Sequence, residues 1–560
     1  MDATGLPLAC GALGRPSASA LRRMRRALGR RPKRVHRDRD AVLFLDREPL
    51  RWRGDGTHGI AWSETLPTAP ATPESWRDAS VQWGASGLAF ENGRWLLHAS
   101  VSGLGPLYFL SAGEATYFST RVDALIAAAD DPLTVDWNAW AGILAVGYPL
   151  GARTPFAEIG RLDSFAYVEH SSRGTEVGSP SWPWAQIEPG GGAEGPGEIL
   201  DALRERLSWL PSGEDIHALL SGGWDSRLLL TLMNQPGDRA IRAWTVNNDV
   251  GHRDEERIAS LVTGKLGVDH EIVPPAVGAF WDDWVETAAL QDFQAPTRIR
   301  VLRLGRLLHE APGIALEGVA GDIFVKGLYV NRAMLEAPTW DRTAELLWRR
   351  VFQLRGGPPL FRRAFLARNL ERARHDFRRE VERFRDHPAG ATLAIYWLRT
   401  RRSIAAGPLE LIGSHSPVTT PFAGDAVVRA ALAVEPGQKL GGALYKRVWE
   451  LADREIAALP STNDPGYDPG PREFRRIVMS QKAIRGYVDV LSRHPLRPLF
   501  SMRLEADVER GRIRPYLRHR QRLQALDALC RFAVWYERYR DRLSPLDLEE
   551  LRAGERALSG

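Results

Sequence analysis

The segment HALLSGGWDSRLLLTLM, residues 217–233, joins two apolar runs through a short polar turn. The first run ends at the SGG of residues 221–223, and the second begins after the DSR of residues 225–227. Residues 216–220 have the length and apolar composition of a buried strand, and a helical pattern starts at about residue 226. The segment therefore predicts a strand, a tight turn and a helix, with two glycines, two hydroxyls and one acid in the turn.

The residue types in this turn are those that bind the phosphates of a nucleotide. The two glycines permit positive φ and let backbone N–H groups approach a ligand. The N-terminus of the following helix has unpaired N–H groups and a positive potential, which favour phosphate. Ser221 and Ser226 can donate further hydrogen bonds, and Asp225 can bind a hard cation such as Mg²⁺. Arg227 opposes the helix dipole in an empty site, a penalty that a bound polyphosphate reverses.

The bulk composition is that of a globular protein with two or more domains. The chain has 560 residues, of which 44% are hydrophobic and 26% are charged. No apolar run approaches the roughly 20 residues of a membrane-spanning helix, and no secretory signal opens the sequence. Cys10 and Cys530 are too few for a disulfide framework or a cysteine-based zinc cluster, so we expect a cytoplasmic protein. Basic residues concentrate at 22–39, which predicts a solvated basic arm there, within a basic N-terminal segment over residues 1–40, and no nucleic-acid partner.

The pattern of strands and helices changes along the chain. Residues 41–180 contain short strand-like runs separated by turns, and residues 187–198 (IEPGGGAEGPGE) form a glycine-rich stretch that predicts a linker. Strand-like residues 240–248 and helix-like residues 253–267 then alternate, which predicts a parallel α/β sheet. From about residue 328 the pattern is mostly helical and rich in arginine. Because ligands bind at the carboxyl ends of the strands in such a sheet, the polar turn is the predicted site.

The turn SGGWDS resembles the SGGxDS pyrophosphate loop of ATP-pyrophosphatase enzymes, specifically of the asparagine synthetase family. The family's later segments follow in the same order, and the resemblance covers about residues 85–465. The matching segments are AWTVNN (243–248), RDEERIASLVTGKLGVDH (253–270), EGVAGDI (317–323), PFAGDAVVRAAL (421–432) and GGALYKRVWE (441–450).

The N-terminal half is similar to the glutaminase-type domain of the same family. The similar segments are VSGLGPLYFLSAGEATYFSTRVDAL (101–125) and GYPLGARTPFAEIGRLDSFAYV (147–168). The resemblance implies an N-terminal-nucleophile-type α+β sandwich over residues 41–186. After the linker at 187–198, it implies a parallel-sheet ATP-pyrophosphatase domain over residues 199–560 with a helical C-terminal region.

The glutaminase active site is expected to be degenerate. A working glutaminase of this type needs cysteine as its first residue, because the α-amine of that residue acts as the base. Nine residues precede Cys10, and the family's NGE segment is not visible. We therefore expect Cys10 to be a small buried strand residue.

The resemblance also implies the roles of individual residues. Asp225 and Asp322 are the expected Mg²⁺ ligands, and Lys446 is the expected catalytic lysine. Val319 departs from the family, which has glutamate or tyrosine there, so the catalytic base is unassigned; Glu450 stands where the family tends to have arginine. The expected ATP-binding residues are Leu220, Ser221, Gly222, Gly223, Asp225, Ser226, Val246, Glu317 and Gly318.

The resemblance implies an ATP- and Mg²⁺-dependent ligase that forms an amide bond. It adenylates a small-molecule or peptide carboxylate, releases pyrophosphate and lets an amine displace AMP. The amine belongs to the substrate itself or to a second molecule, as in β-lactam synthetases and lasso-peptide cyclases. Two alternatives stay open, namely a glutamine-hydrolysing asparagine synthetase and a non-catalytic nucleotide-binding homologue. A homodimeric assembly also stays open.

Overall fold

The computed structural model of the chain describes residues 8–28, 34–46, 49–54, 56–63, 72–190, 195–234, 239–246, 253–274, 279–352, 359–462, 464, 478–518 and 520–546. The strands before residue 180 form two antiparallel sheets. In chain order they are β1 (Ala9–Gly14), β2 (Arg34–Arg37), β3 (Ala41–Leu45), β4 (Leu50–Gly54), β5 (Thr57–Ser63), β6 (Ala85–Glu91), β7 (Arg94–His98), β8 (Tyr108–Ala112), β9 (Ala115–Ser119), β10 (Ile159–Arg161), β11 (Tyr167–Ser171) and β12 (Gly174–Gly178).

The two sheets face each other across an apolar core. One sheet has the strand order β10-β8-β9-β1-β3-β2 and the other has the order β12-β11-β7-β6-β5-β4. Leu43 and Phe118 of the first sheet and Trp62, Leu88 and Leu97 of the second belong to one buried cluster. Alternate strand positions supply these side chains, as expected for sheets with one buried face. The helices of this region are α1 (Ala18–Ala27), α2 (Trp76–Gln82), α3 (Val122–Ala128) and α4 (Trp137–Val146).

The first forty residues are not simply a solvated basic segment. Strand β1 lies between β3 and β9, where Cys10 is the register partner of Phe44 and of Ser119. Cys10 is completely buried, as predicted. The prediction for residues 1–40 was wrong for β1, because the apolar sequence ACGALG supplies an interior strand of the sandwich. The basic side chains that suggested an arm lie mainly beyond this strand.

A third sheet, which is parallel, follows, as the alternating pattern predicted. Its order is β15-β14-β13-β16-β17, and every neighbouring pair of strands is parallel. The strands are β13 (Ile216–Leu219), β14 (Ile241–Val246), β15 (Asp269–Val273), β16 (Ile314–Leu316) and β17 (Val418–Thr419). The chain builds outward from β13 to β15 on one side and then crosses to β16 on the other. The topological switch point therefore lies between β13 and β16.

Helices connect and cover the parallel sheet. The helix before it begins at Gly195, so the predicted linker 187–198 overlaps the first helical turn. These helices are α5 (Gly195–Ser208), α6 (Asp225–Met233), α7 (Asp254–Leu266), α8 (Phe280–Leu290), α9 (Ile299–Glu310) and α10 (Gly321–Phe324).

The remainder of the described chain is helical, as the sequence predicted. Two π-helical segments, Tyr396–Ile404 and Gly407–Ile412, lie between α14 (Gly390–Ile395) and β17. The other helices are α11 (Arg332–Leu335), α12 (Trp340–Val351), α13 (Arg363–Glu382), α15 (Asp425–Leu432), α16 (Ala443–Ala452), α17 (Arg454–Ala457), α18 (Gln481–Ser492), α19 (Met502–Glu509), α20 (Arg514–Leu517) and α21 (Arg520–Tyr539). Across the described residues, no helix has both the length and the apolar character needed to cross a bilayer.

The C-terminal helices pack on the N-terminal region. The ring of Trp140 on α4 lies 4.8 Å from that of Phe532 and 5.0 Å from that of Trp535, both on α21. The buried guanidinium of Arg531 donates hydrogen bonds to the carbonyls of Gly147 (3.0 Å) and Ala295 (2.7 Å). One core therefore joins the beginning and the end of the chain.

Candidate nucleotide site

Two loops meet at the switch point of the parallel sheet. Residues 220–224 follow β13, and residues 317–320 follow β16. The end of β13 is fixed to β14, because the Leu220 N–H donates to the Trp244 carbonyl and the Leu220 carbonyl accepts from the Thr245 hydroxyl (2.9 Å each). Val246 is the last residue of β14. The structure therefore places the predicted turn at the carboxyl ends of the central strands, where a crevice forms.

Short hydrogen bonds shape the first loop. The Ser221 N–H donates to the Ser226 hydroxyl (3.1 Å), and the Gly223 N–H donates to the Ser221 hydroxyl (3.2 Å). A Cβ atom at Gly222 would lie 2.7 Å from the Thr462 side chain, so no larger residue fits there without a shift. The predicted hydroxyl residues thus pair with each other around a loop that requires glycine.

Asp225 lies directly against the second loop. A Cβ atom at Gly318 would stand 2.8 Å from the Asp225 Cβ, and one at Gly321 would stand 2.8 Å from its Oδ1. That Oδ1 is buried and has no hydrogen-bond partner among the described residues. Asp322 follows Gly321 immediately. The structure therefore brings the two aspartates of the predicted metal pair to one place, from loops far apart in the sequence.

The carboxyl groups of this crevice destabilise one another's charged forms. Burial and the neighbouring Asp322 raise the pKa of Asp225 to about 8, and burial also raises the pKa of Asp322. Burial raises the pKa of Glu317 to about 7, against the opposing influence of Arg298. Carboxylates gathered in this way, with one orphaned oxygen, fit a divalent cation, which would offset their repulsion.

A cation here takes only part of its coordination from the protein. Among the described residues, no group of three or more histidine, cysteine, aspartate or glutamate side chains has the arrangement of a metal site. Mg²⁺ commonly binds through one or two carboxylates together with phosphate oxygens and water. The donor set of Asp225 and Asp322 fits that arrangement.

A family model described as asparagine synthase matches residues 198–456. This part of the chain belongs to the asparagine synthase family. The family groups ATP-dependent ligases of the ATP-pyrophosphatase type, and the matched residues include both loops of the crevice. The sandwich lies outside the match, so its glutaminase type stays a prediction.

One solved structure with similarity to this chain is U34-tRNA thiolase NcsA from Methanococcus maripaludis with its [4Fe-4S] cluster. The sequences are 17% identical, the alignment covers 36% of this chain and 76% of that chain, and the TM-score is 0.20. No curated protein matches the chain.

The lysine that faces the two aspartates of the asparagine synthase domain is Lys326. Burial lowers the pKa of its ammonium group, and Asp225 and Asp322 oppose that shift. The ammonium lies 5.2 Å from the centre of the Trp224 ring. Sequence reasoning missed Lys326, which lies two residues beyond the end of α10, where no helical spacing relates it to Asp322.

The predicted catalytic lysine, Lys446, is not in this cluster. It is exposed on α16, and among the described residues it forms no hydrogen bond or ion pair with the carboxyls of the crevice. Its neighbour Tyr445 is buried, and the Tyr445 hydroxyl lies beside Asp225 without a hydrogen bond of standard geometry. Since adjacent helical residues point about 100° apart, burial of Tyr445 directs Lys446 outward.

Arg227 does not turn toward the phosphate loop. Its guanidinium is completely buried and donates to the carbonyls of Leu459 (3.0 Å) and Pro460 (2.6 Å). Burial lowers the pKa of Arg227 to about 10. Carbonyls beyond α17 therefore accept its hydrogen bonds, and the effect of a bound polyphosphate on this charge stays a prediction.

Proposed function

We propose that this chain is an ATP-dependent ligase that adenylates a substrate carboxylate, releases pyrophosphate and lets an amine displace AMP. One observation carries the proposal: Asp225 and Asp322, from loops after two adjacent parallel strands, converge beside a glycine loop at the switch point. Membership of residues 198–456 in the asparagine synthase family supports the same reaction class.

Each part of the crevice has a separate task in this proposal. The backbone of residues 221–223 and the hydroxyl of Ser226 bind the phosphates, with Leu220, Val246, Glu317 and Gly318 lining the nucleotide. Asp225 and Asp322 would hold Mg²⁺, which when bound neutralises phosphate charge. Lys326 stabilises negative charge on the leaving pyrophosphate, and such a contact is worth on the order of 3 kcal/mol, or about a hundredfold in rate. Val319 is buried and supplies no base.

Substitution of the two aspartates tests the proposal directly. Asp225→Asn and Asp322→Asn keep the side-chain shape but remove the charge, so we expect each to lower ATP–pyrophosphate exchange at least about a hundredfold. The assay uses purified protein, Mg²⁺ and a panel of amino acids and short peptides. Glu450→Gln is the matched control, because Glu450 is exposed on α16. Full exchange activity in both asparagine variants would refute the metal assignment.

The glutamine-hydrolysing alternative receives little support from Cys10. The thiol is buried within β1, and burial raises its pKa to about 12, which suppresses the nucleophilic thiolate. We expect the purified protein to release no glutamate from glutamine. Glutamate release that disappears in Cys10→Ala would contradict this expectation. The non-catalytic alternative predicts ATP binding without pyrophosphate production from any substrate.

A further inference from the structure

Arg399 presents an unused guanidinium near Asp322 of the aspartate crevice. Its guanidinium carbon lies 4.7 Å from the centre of the Tyr329 ring, a cation–π contact. Within the described part of the chain the Arg399 side chain forms no hydrogen bond or ion pair, so its five N–H donors are available to a ligand. It lies close enough to Asp322 to oppose the rise in pKa that burial causes in that carboxyl.

Two unfavourable backbone conformations, one at Tyr329 and one in the helix that carries Arg399, hold the Arg399 side chain in place. Tyr329 has a φ of +73°, a left-handed conformation that is strained for an aromatic residue and is found mainly at functional sites. Arg399 itself belongs to the π-helical segment Tyr396–Ile404, a rare form that is also frequent at such sites. Arg298 fastens the end of this segment by donating to the carbonyls of Ser403 (2.7 Å) and Ile404 (3.0 Å).

The N-terminal sandwich contributes a second unused group. Tyr148, two residues beyond α4, is only 2% exposed, and its hydroxyl has no hydrogen-bond partner among the described residues. Arg399 and Tyr329 both act electrostatically on this hydroxyl. A buried hydroxyl without a partner is costly, so a ligand or water is expected to complete it.

The balance of charge favours an anion at this place once the metal site is filled. Arg399 faces Asp322, but it also faces Arg298, whose like charge opposes it. When a cation binds to Asp225 and Asp322, that cation neutralises the two carboxylates, which then no longer balance the charge of Arg399. The guanidinium then carries an unbalanced positive charge beside the unpartnered Tyr148 hydroxyl. This pair suits an anionic group such as a carboxylate or a phosphate.

We propose that Arg399 and Tyr148 together bind an anionic group of the substrate that takes no part in the reaction. This inference rests on the proposed ligase function. A spectator anion keeps its charge throughout, so binding it orients the substrate without favouring the ground state over the transition state. The sandwich then has a role that needs no glutaminase chemistry, because it supplies Tyr148 as one wall of the substrate site.

The test measures the binding of simple anions to protein that is already loaded with nucleotide. The full chain is saturated with Mg²⁺ and the ATP analogue that has a methylene group between the α- and β-phosphates. Acetate, succinate and inorganic phosphate are then titrated separately by calorimetry, up to concentrations of order 10 mM. The carboxylates and phosphate distinguish a planar from a tetrahedral spectator group.

We expect saturable binding of at least one anion to the wild type, weakened at least about tenfold in Arg399→Met and less in Arg399→Lys, which keeps the charge but not the planar fork. Tyr148→Phe should weaken binding by a smaller factor. Arg350→Met is the matched control, because Arg350 is exposed and its guanidinium carbon lies 5.9 Å from the centre of the same Tyr329 ring. Thermal unfolding of each variant checks that the fold is retained.

The outcomes separate this inference from the proposed function. Wild-type protein that fails to bind the nucleotide analogue refutes the proposed function. Arg399→Met protein that loses nucleotide binding makes Arg399 a phosphate ligand, which overturns the inference and leaves the proposed function intact. Anion binding that is absent in the loaded wild type, unchanged in Arg399→Met, or equally weakened in Arg350→Met also overturns it.

Discussion

At the scale of single residues, the structure distinguishes two candidates for the catalytic lysine. The spacing of the family segment predicted Lys446, whereas the folded chain directs that side chain outward and places Lys326 against the aspartates. A charged group stabilises a reaction only from a fixed position near the developing charge, since water screens a distant one. The burial of Lys326 beside Trp224 supplies that position.

Exchange of each lysine for methionine distinguishes the two assignments. We expect Lys326→Met to lower pyrophosphate exchange about a hundredfold, because it removes the cation that faces both aspartates. Lys446→Met should change the rate less than about twofold, because an exposed side chain contributes little. Rates are measured at saturating Mg²⁺ and ATP. A loss confined to Lys446→Met would restore the assignment made from the sequence.

At the scale of secondary structure, two loops fit together only because glycines stand at their contact. Gly318 and Gly321 let the loop after β16 approach Asp225 at the start of α6. The sequence predicted each loop separately, from its glycines and its acid. Local patterns did not predict the short distance between the two loops in space, because no local pattern encodes the approach of residues about a hundred positions apart in the sequence. The parallel pairing of β13 with β16 sets that approach.

A methyl group at this contact should uncouple the loops. The added Cβ of Gly321→Ala would stand 2.8 Å from Asp225 Oδ1 and 3.0 Å from the Phe422 ring, so the carboxylate must shift. We expect nucleotide binding to weaken at least about tenfold, with a loss of stability of about 1–3 kcal/mol. Calorimetry with Mg²⁺ and the ATP analogue measures the first effect and thermal unfolding the second.

Gly264→Ala provides the control for this substitution. Gly264 lies within α7, and a Cβ there meets no atom within 4 Å. Alanine should therefore stabilise the helix by about 0.5–1 kcal/mol and leave nucleotide binding unchanged. Unchanged nucleotide binding in Gly321→Ala would show that the two loops do not depend on close contact.

At the scale of the whole molecule, the sequence predicted the order of the structural elements better than the contacts between elements that are far apart in the chain. The polar turn, the parallel sheet and the helical C-terminal region all follow from local periodicity and turn chemistry. The sequence predicted Cys10 as a buried strand residue but placed it outside the sandwich, so the position of β1 between β3 and β9 was missed. The junction of α4 with α21 was also missed, because the Arg531–Gly147 contact spans 384 positions.

This junction predicts that the sandwich and the C-terminal helices unfold together in acid. His98 in the sandwich and His494 after α18 are both buried, and burial lowers the pKa of His98 to about 3 and the pKa of His494 to about 4. An unfolded histidine binds its proton near pH 6.5, whereas these two stay neutral in the folded state. Unfolding therefore takes up protons below that pH, and stability falls as the pH drops from about 6.5 toward 4.

Replacing His98 should shift the acid-induced unfolding of the C-terminal helices as well as that of the sandwich. At pH 5 the unfolded state gains about 2 kcal/mol from protonating this residue, so the acid-induced loss of stability in His98→Leu should be smaller by that amount. Because Trp140 and Trp535 join the two regions, the far-ultraviolet signal of the C-terminal helices should shift together with the near-ultraviolet tryptophan signal. His309→Gln, at an exposed position on α9, should shift neither signal. Two separate transitions, with the helical one unmoved by His98→Leu, would mean that the two regions unfold independently.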